Sequence, residues 1–211
     1  MPVPEQPKIY HIVHVDRLSS IVADGCLWCD AEAGRRKSPG TVIGMSTIKE
    51  RRLRLPLRSR PDLCVGDCVP FYFCQRSIML YMIDVKSSEL IYEGGQEPII
   101  HLEADFHGSV AWAEQNSKRW AFTSSNAGSY IFNDYCNLSE LNEIDWVAIQ
   151  ANQWQNHKRG KQAEFLLEKA FPWHLIERIG VYSPIVCNQV ANILPVNGHR
   201  PPIEVMRSWY Y

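Results

Sequence analysis

The chain has 211 residues, 45% hydrophobic and 21% charged, which is the balance of a globular domain and excludes a disordered or low-complexity chain. No run reaches the roughly 18 apolar residues of a membrane span, and residues 1–9 are too polar and proline-rich for a signal peptide, so the cytoplasm is the expected compartment. Net charge is −1 but uneven: residues 35–60 hold nine lysines and arginines against Glu50 alone (+8), and the rest carries 13 basic and 22 acidic side chains (−9). A basic strip on an acidic body predicts a local polyanion site, although a solvated loop gives the same pattern.

In chain order, "KIYHIVHVDRLSSIVADGCLW" reads as a strand at Ile9–Val15, then a short helix capped by Asp16. Leu18, Ile21 and Val22 face inward, and Gly25 stands where a C-terminal cap belongs. Residues 31–47 are small or polar and read as a loop, and "TIKERRLRL" as a helix ending before Pro56. Strands are predicted at Val69–Phe73, Pro98–Leu102 and 120–123, with the glycines of "YEGGQEP" in a turn. Residues 124–160 form a long connection with a helix at Leu138–Ile144 and a strand at Trp146–Ile149, and "IERIGVYSP" and "PPIEVMRSWYY" close the chain as strands. Strands interleaved with short helices, without steady βαβ alternation, indicate an α+β fold with a compact sheet core and helices outside.

"GKQAEFLLEKAFPW", residues 160–173, is ambiguous. As a helix it puts Ala163, Leu166, Leu167 and Ala170 inward and leaves Glu164 and Glu168 solvated. As a strand it points Gln162, Glu164, Leu166 and Glu168 one way, with Glu164 flanked by core residues. Periodicity alone does not choose.

Motifs for familiar chemistry are absent: there is no GxSxG, P-loop or GxGxxG. Cys26/Cys29 and His11/His14 each have half the spacing of a zinc site, but no second CxxC follows, and no metal is expected. Seven cysteines, with no leader, read as reduced thiols.

Taken together, "YHIVHVDRLSSIVADG", "IKERRLRLP", "VPFYFCQRSIMLY", "GGQEPIIHL", "KQAEFLLEKAFPW" and "SWYY" resemble, in order and over nearly the whole length, the DarT-type DNA ADP-ribosyltransferases, toxins of the DarT–DarG toxin–antitoxin systems. The resemblance implies one domain, residues 1–211, with an ADP-ribosyltransferase fold related to PARP. It implies transfer of ADP-ribose from NAD to a base, usually thymine, in single-stranded DNA, with a DarG macrodomain antitoxin as partner. A monomer is expected. Transfer to guanine, to RNA or to protein, or a catalytically dead nucleic-acid-binding module, are the alternatives.

Glu164 matches the family's catalytic glutamate, and the chemistry suits an acid: breaking the nicotinamide–ribose bond builds positive charge on the ribose, as in glycoside hydrolysis. The match selects the strand and leaves Glu168 to the surface. Arg52 matches the essential arginine, with Arg51 beside it as the competing assignment. Guanidinium stays protonated in proteins, so binding NAD phosphates or stabilising a thymine anion suits it better than acting as a base. By the same resemblance His11, Ile12, Val13, His14 and Gly25, with Arg52, hold NAD. Arg51, Arg54, Lys49, Trp154 and Tyr130 are assigned to DNA, and Phe132 and Tyr135 lie in the same connection as stacking candidates. The chain departs from the family pattern at Ser124 and Asn126 ("FTSSN") and at Gly66 and Cys68 ("GDC"), which bears on sequence context and target base.

Overall fold

The structure, a computed structural model, describes residues 1–211. Its elements in chain order are β1 (Lys8–His14), α1 (Leu18–Asp24), β2 (Cys26–Trp28), α2 (Asp30–Arg36), α3 (Ser46–Arg52), β3 (Cys68–Tyr72), α4 (Ile78–Asp84), β4 (Ile99–Asp105) and α5 (Phe106–Gln115). There follow β5 (Trp120–Thr123), β6 (Asp134–Tyr135), α6 (Trp146–Gln150), β7 (Glu164–Glu168), β8 (Ala170–Pro172), β9 (Ile176–Val181), α7 (Pro184–Ile193) and β10 (Ile203–Val205). Eight strands make one sheet in the order β10-β9-β4-β1-β3-β7-β5-β6, and β2 pairs with β8 apart from it.

Two-residue alternation gives the sheet two apolar faces. On one, Ile9, Val13, Phe71, Phe122, Phe165 and Leu167 pack against α1, α5 and α7 through Leu18, Phe106, Val110 and Val190. Each such side chain contributes about 1.5–3 kcal/mol by leaving water. On the other, Tyr10, Ile12 and Ile99 meet Leu80 and Ile83 of α4 and the C-terminal Trp209 and Tyr210.

The helices begin and end where local chemistry dictates. Gly25 closes α1 in the left-handed region, φ +68°, which a β-carbon would strain. The Asp105 carboxylate accepts from the Gly108 N–H at 2.7 Å to start α5, and Ser183 with Pro184 starts α7. These two helices were not anticipated; their caps are legible, but their apolar faces are diluted by small and polar residues.

Three expectations need correction. Residues 31–47 are not all loop, because α2 forms where Asp30 and Glu32 occupy the first turn and Arg35 and Arg36 the last, matching the helix dipole. Trp146–Ile149 is helix, not strand: the Asp145 carboxylate caps the Ala148 N–H at 2.9 Å, and Trp146 and Ile149 turn inward together. The C-terminal strand shrinks to β10, followed by a 3₁₀ turn at Arg207–Trp209.

β1 and β3 are neighbours joined at a single pair, Tyr10 with Tyr72. Pro7 and Val15 make their backbone hydrogen bonds toward β4, so the odd-numbered positions of β1 face that side. Ile12 and His14 therefore aim their backbone groups at the β3 side, where continued register would bring Pro70, which has no N–H. The sheet is split there.

Candidate active site

β7 carries Glu164 at its first position, paired across β3 with Tyr72, so both side chains share the face of the split. Glu164 is 2% exposed and Arg52 8%. Arg52, at the end of α3, forks onto the carboxylate, with Nη1 donating to Oε1 at 3.2 Å and Nη2 to Oε2 at 2.8 Å. The Ala127 N–H donates to Oε1 at 3.0 Å. Below them the Glu164 N–H donates to Thr123 Oγ1 at 3.1 Å, whose hydroxyl donates to the Ser125 carbonyl at 2.6 Å. One turn, residues 123–127, thus grips the acid at both its backbone and its carboxylate.

Arg52 reaches this point because α3 is seated hard on the turn before β3. A β-carbon on Gly66 would lie 2.8 Å from the Leu53 Cα, so glycine at this position permits the approach. Burial opposes the Arg52 charge, but the Glu164 carboxylate outweighs it and holds the guanidinium above its ordinary pKa. Burial, reinforced by Glu164, likewise keeps the Tyr72 phenol protonated.

Across the split, His11 Nδ1 donates to the Pro70 carbonyl at 2.8 Å. Burial, with the Arg17 and Lys49 charges, pulls its pKa down to about 4 against the Pro70 bond and Asp30. The ring is neutral at pH 7, with Nε2 left as an acceptor. His14 lies 2.9 Å from Asp16, whose carboxylate takes the Thr41 N–H at 3.0 Å and so ties the α2–α3 connection over β1. Val13 is core, Ile12 lies beside the split, and Gly25 caps α1.

The structure joins Arg52 to Glu164 and sets Arg51 apart: Arg51 lies 4.8 Å over the ring of Tyr130, which is 78% exposed. Arg54 is exposed. Lys49 turns instead to Asp30, 3.0 Å away, on the His11 side. Trp154 stands edge-on to Tyr81 at 5.0 Å, and Tyr81 to Tyr211 at 5.2 Å, forming a separate aromatic group. Phe132 is buried beside Leu57 and Leu166, so it is a core residue and not a stacking surface, and Tyr135 lies on Phe122. Glu168 is not a free surface acid: Arg119 Nη2 donates to it at 2.8 Å. Cys68 is buried in the core, and Asn126 donates to Gln162 Oε1 at 2.9 Å while its own Oδ1 accepts from the Gly128 N–H. Sequence reasoning missed Tyr72, Thr123 and the Ala127 N–H; two-residue parity across "VPFYF" and "EFLLE" points to the first, and nothing local points to the others.

This arrangement has relatives. A DNA ADP-ribosyl transferase of Thermus sp. (strain 2.9) is 38% identical over 213 residues, 99% of this chain and 98% of that protein. The structure of Thermus sp. 2.9 DarT in complex with ADP-ribosylated ssDNA superposes with a TM-score of 0.89 at 37% identity, covering 100% of this chain and 99% of the other. That of Thermus sp. 2.9 DarT in complex with NAD+ gives 0.84 at 35% identity over the whole of both chains. Residues 10–211 match the profile of the family described as "ssDNA thymidine ADP-ribosyltransferase, DarT". With the split and the Arg52–Glu164 fork inside that span, the chain belongs to the DarT family of ADP-ribosyltransferases.

Proposed function

We propose that this protein transfers ADP-ribose from NAD to thymine in single-stranded DNA and releases nicotinamide. The observation that carries this reading is the buried Arg52–Glu164 fork beside the β1–β3 split. Nicotinamide enters the split, its carboxamide on the free backbone groups of Ile12 and its ring against Tyr72. The His11 Nε2 accepts from a ribose hydroxyl, and the cations around it, Arg17 and Lys49, suit the pyrophosphate.

As the ribose–nicotinamide bond breaks, its electron pair leaves on neutral nicotinamide and positive charge develops on the ribose. Glu164, held in a low-dielectric setting, stabilises that charge and fixes a ribose hydroxyl. A ring nitrogen of the base gives up its proton to solvent water, and the resulting anion bonds to the ribose carbon. Arg52 stabilises that anion before the bond forms; as a permanent cation it does not take the proton. Tyr130 and Arg51, an exposed ring under a guanidinium, present a stacking surface with a phosphate partner beside the site. An unpaired base reaches it without the cost of opening a duplex.

We propose further that the chain acts as a monomer in the cytoplasm, with a DarG-type macrodomain antitoxin that removes the mark as its partner; family membership supports the antitoxin. Incubation with labelled NAD and single-stranded DNA, RNA or protein tests the reading. Label on thymine of DNA is expected. Label on guanine, RNA or protein moves the acceptor, and DNA binding with no label anywhere leaves a binding module.

A further inference from the structure

At the end of the sheet next to Glu164 lies a cavity of about 350 Å³ that the reaction above does not use. It is as large as the smaller ligand sites, which span about 300–1,000 Å³. Lys8, Arg76, Lys161, Gln150 and Asn152 line it, and no acidic side chain does. The Lys8 charge is spent on Asp105 and Glu177, at 3.1 and 2.7 Å. The other two cations are not matched. Lys161 is 3% exposed and its Nζ donates to the Ile149 carbonyl alone, at 2.9 Å, leaving two of its three N–H bonds unused. The Arg76 guanidinium lies 4.2 Å over the Tyr211 ring, with its Nε buried and without an acceptor. A buried cation and a half-buried one without a carboxylate partner on one cavity are costly unless an anion arrives from outside.

The cavity is also close to the chemistry. Tyr10, in its wall, pairs with Tyr72, and Tyr72 pairs with Glu164, while Lys161 precedes Glu164 by three residues. We propose that this cavity holds a nucleotide of the acceptor strand flanking the modified base, with its phosphate on Lys161 and Arg76 and its base edge on the amides of Gln150 and Asn152. The proposal rests on the transferase reading of the Arg52–Glu164 site, and it assigns a second place at which the strand is gripped.

Binding of a short fluorescein-labelled, thymine-containing single strand is measured by anisotropy without NAD, across a salt series. Lys161→Gln and Arg76→Gln are each expected to weaken binding about tenfold. Each should make the slope of log affinity against log salt shallower by about 0.7, the signature of one lost phosphate contact. Lys161 is buried, so circular dichroism checks its fold, and Asn152→Glu at the exposed rim supplies an independent variant that should also weaken binding. Folded variants with unchanged affinity and salt slope overturn the proposal. Thymidine monophosphate binding as tightly as the strand assigns the cavity to a free nucleotide and overturns it too. Transfer of label from NAD to single-stranded DNA by the wild type tests the transferase reading separately: its absence sinks that reading while the binding comparison still stands.

Discussion

Glu164 and Glu168 open and close one strand, share one face of the sheet, and are each gripped by an arginine fork. The pairs differ in burial: the side chains are 10% and 3% exposed for Arg52 and Glu164, but 38% and 23% for Arg119 and Glu168. Equal geometry therefore has unequal meaning. An ion pair reached by water is worth about 0–1 kcal/mol. A buried pair is not kept for stability, since its desolvation costs as much as the attraction returns, but removing one partner strands the other at about 3–5 kcal/mol. A costly pair beside a gap in the sheet is the arrangement of a site; a cheap one at the far end of the same strand is a clasp.

The sharpest way to break this contrast is Glu164→Gln. Transfer should fall on the order of 10²–10³-fold, because the amide keeps the shape and loses the charge that opposes the ribose cation. Near-normal labelling of DNA by the variant would remove Glu164 from the chemistry. Glu164→Ala is the poorer test, since it strands the Arg52 charge and costs stability as well. Arg52→Lys comes next: one ammonium cannot fork, and turnover should drop about tenfold or more in an NAD and oligonucleotide assay, with near-normal turnover excluding the bidentate contact as the reason for arginine.

Acid separates the two regions by a different route. On the side of the split, His11 and His101 both titrate near pH 4, chiefly because burial disfavours the imidazolium. Unfolding restores a value near 6.5, so between about pH 6.5 and 4 the unfolded state binds more protons and stability falls as pH falls. For His101, fully buried, the loss is about 3 kcal/mol across that window. Urea midpoints at pH 7 and pH 4.5 measure it, and equal midpoints would contradict neutral buried imidazoles. Glu168 shifts the other way: Arg119 holds its pKa below the ordinary carboxylate value, so its contribution persists above the unfolded value and disappears only as pH drops through the folded one. The smallest effect belongs to Glu168→Gln, expected to change stability by less than about 1 kcal/mol and to leave transfer unaltered. A large loss of transfer in that variant would erase the distinction between the two ends of β7.

Much of this could be read along the chain. The strands around Ile12, Phe71 and Ile100 announce themselves by runs of β-branched and aromatic residues, and Gly25 by its place after an amphipathic turn. α5 and α7 carried readable caps but weak periodicity, and α2 was hidden because a helix of alanine, glycine and charged residues has no apolar stripe. Arg52 and Glu164 were named through six stretches in family order, not through spacing, since 112 residues separate them and no local pattern spans that distance.

The sequence by itself determined the α+β class, the basic strip and the two acids of "EFLLE" as members of one face. Only the tertiary structure paired Arg52 and not Arg51 with Glu164, sent Lys49 to Asp30 and Phe132 to the core, and divided Glu164 from Glu168. The reason is physical. Alternation along a strand fixes which side a residue faces, but the cost of its charge depends on how much water and which partners the rest of the chain brings to that side.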